Sequence, residues 1–483
     1  MKTEEPSMRR RRLLKQLLMV QCVSLGSCMM GTQFTYPSEL FSDLDQHNTT
    51  LYNTYIDLDG KEDLVGSLLV VGSLPGAWMS SCLAVWLGRR RTMIIYGVVG
   101  MLGWLGIALI PSIDGILVSR CVSGLALGGL SVAVNAYVIE LSDPDVRGGM
   151  CMTTNLAIRL GQLFTVGIGY GTRYYTVAFI NAVIPAGFTL SLVWLPESPS
   201  FLVIKGQDED AKEILYNLRG HHVDIQAEIN SYKVMNQAVR DTTVWRSLLK
   251  PQVLKSLLVV SGLSILVMYT GCMVINANAA RLFDKVGTIV DGEFAAIVLM
   301  VAQFGGCVAG FFLMDKIGRR NIMFTGLLLM TVGFASMALY SGLLPSLSTE
   351  IEMTTENLVD ILSEGAVTEV VEVDTVKKGG WIPLACLVVS QTGVSLGVII
   401  MPFILSQEYF PTAIRPQASS ICFTVYTLAN FSLLQFYTPM VQGLTLMGLF
   451  ILFTTVSFIG IPYTAFFLRE TMGTRVGSQI INE

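Results

Sequence analysis

The stretch "LMDKIGRRNIM", residues 313–323, is a charged turn set between two long apolar runs, and "AVWLGRRRTMI" at 84–94 repeats it in weaker form. Gly318-Arg319-Arg320 in the later copy matches Gly88-Arg89-Arg90 in the earlier one. Asp315 stands three residues before the later glycine, and Val85 holds the same place in the earlier copy. The apolar runs on either side are about 20 residues long, which is what an α-helix needs to cross the hydrocarbon core of a bilayer. A cationic turn that recurs between such runs implies a chain built from two related halves.

Working outward, the 483 residues are 52% hydrophobic and only 14% charged, with a mean hydropathy of +0.58. Soluble domains carry nearer a quarter charged residues, so this reads as a polytopic membrane protein. The apolar runs predict twelve spanning helices, over 13–35, 63–87, 92–110, 114–138, 151–171, 175–195, 254–276, 291–313, 322–344, 381–405, 417–440 and 444–468. The start, "MKTEEPSMRRRRLLKQLL", precedes a long apolar run without a small-residue cleavage site, and so predicts a first span rather than a removed signal. Arg9 to Arg12, Arg89 to Arg91, Lys316, Arg319 and Arg320 place their turns and both termini in the cytoplasm of a multi-pass plasma-membrane protein. The loop 36–62 then lies outside, with Asn48-Thr49-Thr50 as a glycosylation sequon. The nine cysteines fall in or beside apolar segments without a CxxC, which suits packing better than disulfides or metal ligation.

A second pair of motifs strengthens the repeat. Glu140 precedes Arg147 by seven residues in "ELSDPDVR", and Glu408 precedes Arg415 by seven in "EYFPTAIR", each after the fourth helix of its half. The expected organisation is a six-helix half over 1–196, a cytoplasmic helical linker over 197–250, a second half over 251–468 and a short cytoplasmic tail over 469–483. The acidic insert at about 345–379 is expected to be a poorly ordered outer loop. Two parallel halves around a midplane site are the layout of an alternating-access transporter.

These residues resemble the major facilitator superfamily, and within it the sugar porter family, most closely the animal facilitated trehalose transporter group. The likeness runs from the first helix to near residue 473. It includes Arg120 with Gly124 and Gly128, Pro196-Glu197-Ser198-Pro199, and Glu470-Thr471 with Gly473. It implies an all-α membrane protein of twelve transmembrane helices in two six-helix pseudo-repeats, the major facilitator fold. It also implies a reversible latch at the inner helix ends, formed by Arg89, Arg90, Glu140, Arg147, Glu197, Asp315, Arg319, Arg320, Glu408, Arg415 and Glu470. Such pairs form across the halves while the protein is open outward, and each contributes only about 0–1 kcal/mol. Val85 departs from the acid of the pattern, so the first half of the latch is weaker or its arginines use another acid.

The implied sugar site is less orthodox. The fifth-helix glutamine of the family falls on Asn155, and the eighth-helix asparagine on Gln303, so both positions keep amide chemistry. The seventh-helix amides are replaced in "VMYTGCM", which keeps Thr270 and Gly271, while Asn276 and Asn278 offer amides further along. In the tenth helix Phe403 stands for the family's tryptophan, and Tyr426-Thr427 replaces Asn-Trp in the eleventh. Proton-coupled members carry an acid in the first helix where this chain has Gln33, which favours facilitated diffusion. Arg159 and Gln162 lie inside the fifth span; if Arg159 faces the cavity it favours an anionic or strongly polar solute, and otherwise it snorkels or has a structural partner.

The expected function is transport of a hexose, trehalose-like disaccharide or polyol by alternating access. The alternatives are a same-fold carrier of another small solute, or a non-transporting sugar sensor. The expected partners are that small polar solute and the lipid bilayer, with no nucleic acid and no obligate protein partner evident. No cofactor or metal is implied. An enzyme is not expected, because the sequence shows no nucleotide loop or nucleophile–base set, and its three histidines (47, 221 and 222) fall outside the spans.

Overall fold

In a bilayer the backbone of a spanning segment must satisfy its own N–H and C=O groups, so long apolar runs become helices. The computed structural model describes residues 6–58, 60–143, 146–220, 225–240, 249–286, 288, 290–363, 380–410 and 414–468. Its first six long helices are α1 (Pro6–His47), α2 (Glu62–Trp86), α3 (Arg89–Leu109), α4 (Ile113–Leu141), α5 (Arg147–Gly169) and α6 (Tyr174–Leu192). Three short helices follow: α7 (Pro199–Ile204), α8 (Asp208–Arg219) and α9 (Ile225–Arg240). The later set is α10 (Pro251–Tyr269), α11 (Cys272–Ala277), α12 (Ala279–Val286), α13 (Gly292–Ile317), α14 (Arg319–Ser363), α15 (Ile382–Gly393), a π-turn at Val394–Val398, α16 (Met401–Glu408), α17 (Arg415–Gln435) and α18 (Tyr437–Phe467).

Among the described residues, ten of these segments are long and apolar enough to cross a membrane. The helices α5 and α17, with 23 and 21 residues, have the length but a more polar composition. Those two are the fifth spans of the two pseudo-repeats, and each packs against the second span of the other: α5 on α13, and α17 on α2. The polar helices therefore lie where the two repeats meet, not on the lipid face.

The seventh and tenth spans are interrupted. Thr270 ends α10, and Gly271 follows with a left-handed φ of 80° before α11 resumes. The tenth span is divided differently, by the π-turn after Gly393, within which Gly397 leaves helical geometry. The acidic insert differs from expectation: α14 continues to Ser363, because no glycine or proline follows Pro345 until Gly365. Residues 364–379 lie outside the described ones.

Both Gly-Arg-Arg turns share one backbone bend, since Gly88 has φ 94° and Gly318 has φ 93°. Only glycine adopts that conformation without strain, which explains why the glycine precedes the arginines in both copies. We refer to the side carrying these turns as the arginine face.

The short helices dock on the first set at that face. Asp143 accepts from Arg12, from Gln16 Nε2 at 3.1 Å and from Arg219 Nη1 at 3.0 Å. Gln16 also donates to Leu218 O at 2.6 Å. Burial works against the Arg219 charge, but Glu228 and Asp143 outweigh it and hold the guanidinium pKa above its ordinary value.

Close helix contact relies on small residues. On α4, Gly124 and Gly128 are four apart and face α2: an added Cβ would come within 2.1 Å of Leu69 O and 1.8 Å of Ser73 O respectively. This is the small-xxx-small geometry by which membrane helices approach each other. Gly128→Ala should destabilise the solubilised protein by about 1–3 kcal/mol through overpacking. Gly167→Ala, which would meet nothing within 4 Å, serves as the control. Thermal melting in detergent checks this, with a lowered midpoint expected for the first variant and none for the second.

Candidate functional site

At mid-depth a chain of buried polar side chains joins the two pseudo-repeats. Arg159 on α5 donates from Nη1 to Gln162 Oε1 at 2.8 Å and across the interface to Gln303 Oε1 on α13 at 2.7 Å. Gln303 Nε2 in turn donates to Asn276 Oδ1 at 2.6 Å on α11 and to Gln391 Oε1 at 3.2 Å on α15. Gln303, Asn276 and Gln391 are fully buried, and Arg159 is 7% exposed.

The direction of this chain is fixed by chemistry. A guanidinium only donates, so the oxygen of Gln303 must face Arg159 and its nitrogen must point onward. The oxygens of Asn276 and Gln391 then each accept one bond. Their nitrogens, Asn276 Nδ2 and Gln391 Nε2, are buried without a partner among the described residues. Among the described residues the side chains bonded to Arg159 are the two glutamines, and no carboxylate pairs with it.

The expected site residues divide accordingly. Gln303 and Asn276 are brought together, and Tyr426 packs edge-on against Phe403 with ring centroids 4.8 Å apart. Phe403 is 37% exposed, whereas Tyr426 is buried. Asn155, Thr270 and Asn278 instead bond to their own helices, through Cys151 O, Val267 O and Val274 O. Gln391 was not singled out by sequence reasoning, although an amide within an apolar span is itself a signal. Arg159 and Gln162 were noted there, but were not joined to Gln303.

Arg120 is a second buried cation. It donates to Val65 O, Gln33 O and Gln33 Oε1 at 3.0–3.1 Å and lies over the Tyr36 ring. Gln33, expected to stand where proton-coupled relatives carry an acid, thus sits against an arginine as a neutral partner.

At the arginine face the described pairs of the expected charges join groups on the same side of the interface. Arg89 reaches Glu140 at 3.1 Å, which supplies the acid that Val85 does not. Arg90 takes Glu197 through its backbone N–H at 3.0 Å and donates to Leu195 O. Arg319 meets Glu408 at 3.5 Å, and Arg320 donates to Ala465 O. The side chains of Arg147, Asp315 and Arg415, and the whole of Glu470, lie outside the described residues.

At the opposite face the contacts run between repeats. Arg281 pairs with Asp45 at 2.5 Å and with Glu62 at 3.2 Å. Asp63 accepts from Thr438 N and Oγ1, and Glu293 accepts from Ser42 Oγ and Gly171 N. Ser67 bonds Gln435, and Ser38 accepts from Ala280 N. Sequence reasoning missed this set because loop charges read as solvated, and only their position across the interface gives them a role. In this state the two repeats are clasped opposite the arginine face.

Known proteins place this architecture. A facilitated trehalose transporter of Bombyx mori is 26% identical over 466 residues, covering 95% of this chain and 85% of that protein. One from Aedes aegypti is 24% identical over 461 residues, and the chain spans 54% of that relative's length. The inward-open xylose transporter XylE from E. coli superposes with a TM-score of 0.72 at 17% identity, over 95% of this chain and 98% of that one. A double-tryptophan mutant of XylE gives 0.74 at 17% identity, over 96% and 98%. At such identities the structural likeness speaks for the fold, which is all-α with two six-helix pseudo-repeats. The family model described as "Sugar (and other) transporter" matches residues 19–478, and the chain belongs to that family of membrane transporters.

Proposed function

We propose that the chain carries a sugar-class polar solute, a hexose, a trehalose-like disaccharide or a polyol, across the plasma membrane by alternating access and facilitated diffusion. The observation that supports this most is the Arg159–Gln303 bond. It sets a polar, partly unsatisfied centre where two repeats meet, beneath the clasp opposite the arginine face. Family membership and the named activity of the trehalose transporter relatives agree with it. Gln33 in place of a first-helix acid favours passive transport over proton coupling.

In this reading the halves are 1–196 and 251–468, joined by a cytoplasmic linker over 197–250 and followed by the tail 469–483. The arginine face and both termini are cytoplasmic, so the state described is inward-facing, and Asn48 is glycosylated on the outer side. Gln303, Asn276, Phe403 and Tyr426 line the solute path. Asn155, Thr270 and Asn278 contribute by giving up bonds to their own helices. When the outer clasp opens, the inner charges Arg89, Arg90, Glu140, Arg147, Glu197, Asp315, Arg319, Arg320, Glu408, Arg415 and Glu470 re-pair between halves. Individually weak pairs suit a latch that must release on every cycle.

Radiolabelled uptake in cells lacking their own hexose carriers, across glucose, trehalose and a polyol at two external pH values, is the direct test. Saturable, pH-insensitive uptake of one of them is expected; a surface-expressed protein that moves none would leave the sensor reading in its place. Gln303→Ala removes three hydrogen bonds, each contributing about 0.5–1.5 kcal/mol, and should lower uptake at least ~10-fold with surface level unchanged. Asn155→Ala should have a milder effect, since its amide is engaged by its own helix.

The clasp can be tested separately. Arg281→Ala removes two partly exposed ion pairs, each worth about 0–1 kcal/mol. It should speed labelling of Ser38→Cys by an impermeant thiol reagent from outside, up to about tenfold over the same cysteine variant with Arg281 intact. An unchanged rate would remove Arg281 from the clasp.

A further inference from the structure

The chemistry left over at the centre is one-sided. Each amide oxygen in the Arg159 chain already accepts a hydrogen bond: Gln162 and Gln303 from the guanidinium, Asn276 and Gln391 from Gln303. The groups without partners are donors, namely Asn276 Nδ2 and Gln391 Nε2. Both described bonds of Arg159 leave from Nη1, so Nη2 and Nε remain for a ligand. A neutral sugar hydroxyl both donates and accepts, whereas each amide oxygen of this chain is already engaged once and the groups wholly without partners only donate.

The charge is one-sided as well. Arg159 is buried in a spanning helix, and among the described residues its hydrogen-bond partners are two amide oxygens and no carboxylate. An unpaired cation inside a membrane protein is expensive and by default marks a solute or ion pathway. Neutral amide oxygens soften that cost without cancelling the charge. A carboxylate would cancel it, and its two oxygens match both the fork of a guanidinium and the pair of free amide nitrogens. Phe403 and Tyr426 supply an aromatic wall from the same end of the later repeat, suited to the C–H face of a sugar ring.

From these observations we propose that the solute is an acidic one: a sugar or polyol bearing a carboxylate, bound with its anionic end on Arg159, Asn276 and Gln391. This rests on the transport reading above and narrows it. Because the chain would act as a passive carrier, each turnover would move one negative charge. Uptake would then depend on membrane potential, as transport of a neutral sugar does not.

The test uses the purified full chain in liposomes, with labelled glucuronate and glucose as probes; these differ in a carboxylate against a primary alcohol. The expected result is saturable glucuronate uptake, at least tenfold preferred over glucose and accelerated by an interior-positive potential. Arg159→Gln should abolish the preference while the protein stays monodisperse. Arg159→Lys, which keeps the charge without the fork, should retain part of it. If Arg159→Gln does not fold, competition and potential dependence in the unmodified protein still decide. Glucose carried with no competition from glucuronate would overturn this proposal and leave sugar transport standing. Neither probe carried nor competing, with the protein inserted, would overturn this proposal, and would overturn the transport reading as well if trehalose and a polyol were not carried either.

Discussion

A guanidinium has five N–H donors and no acceptor, and at mid-depth in this protein that single fact orders everything around it. Arg159 dictates which end of Gln303 faces it, Gln303 then dictates the amides of Asn276 and Gln391, and four helices from both repeats take their polar register from one cation. The two most polar spanning segments are pressed together with the other repeat for the same reason: in lipid, polar side chains have nowhere else to find partners. The interrupted seventh and tenth spans supply the far end of the chain. Breaks in helices are tolerated at this depth where they line a cavity or are covered by protein, and both of these are.

Much of the fold was legible in the sequence, because the physics that sets it is local. Apolar length gave the spans, and the repeated Gly-Arg-Arg turn gave the duplication, later seen as one backbone bend adopted twice with φ near 94°. The helix past Pro345 was missed because its acidity resembled a solvated loop, whereas the absence of a breaker before Gly365 was the better guide.

The site was less legible, for a specific reason. Family register finds positions along a helix but not what the side chain does there. Asn155 and Thr270 occupy matched positions, yet each bonds a carbonyl of its own helix. Gln391 was not among the matched positions and still completes the buried chain. The charges behave likewise. Glu140 proved to be the partner that Val85 lacked, and Arg281 and Asp45, 236 residues apart, pair only because the repeats fold face to face. Partnership between distant segments is a property of the fold and leaves little trace in spacing.

The helix α1 runs unbroken for 42 residues, from the Asp143 cluster that receives Arg12 to the clasp at Asp45. At about 1.5 Å per residue that interval is about 50 Å of near-rigid rod. Such a rod is a lever with its fulcrum at mid-depth, where it packs on α5 beside Arg159. A tilt of roughly 10° there would swing its two ends by about 4 Å in opposite senses, by that same geometry. Opening one mouth and shutting the other need not be two coordinated events; for this helix they are one displacement measured at two ends. Pro37, which lacks an N–H near the clasp end, is the point at which that lever can yield.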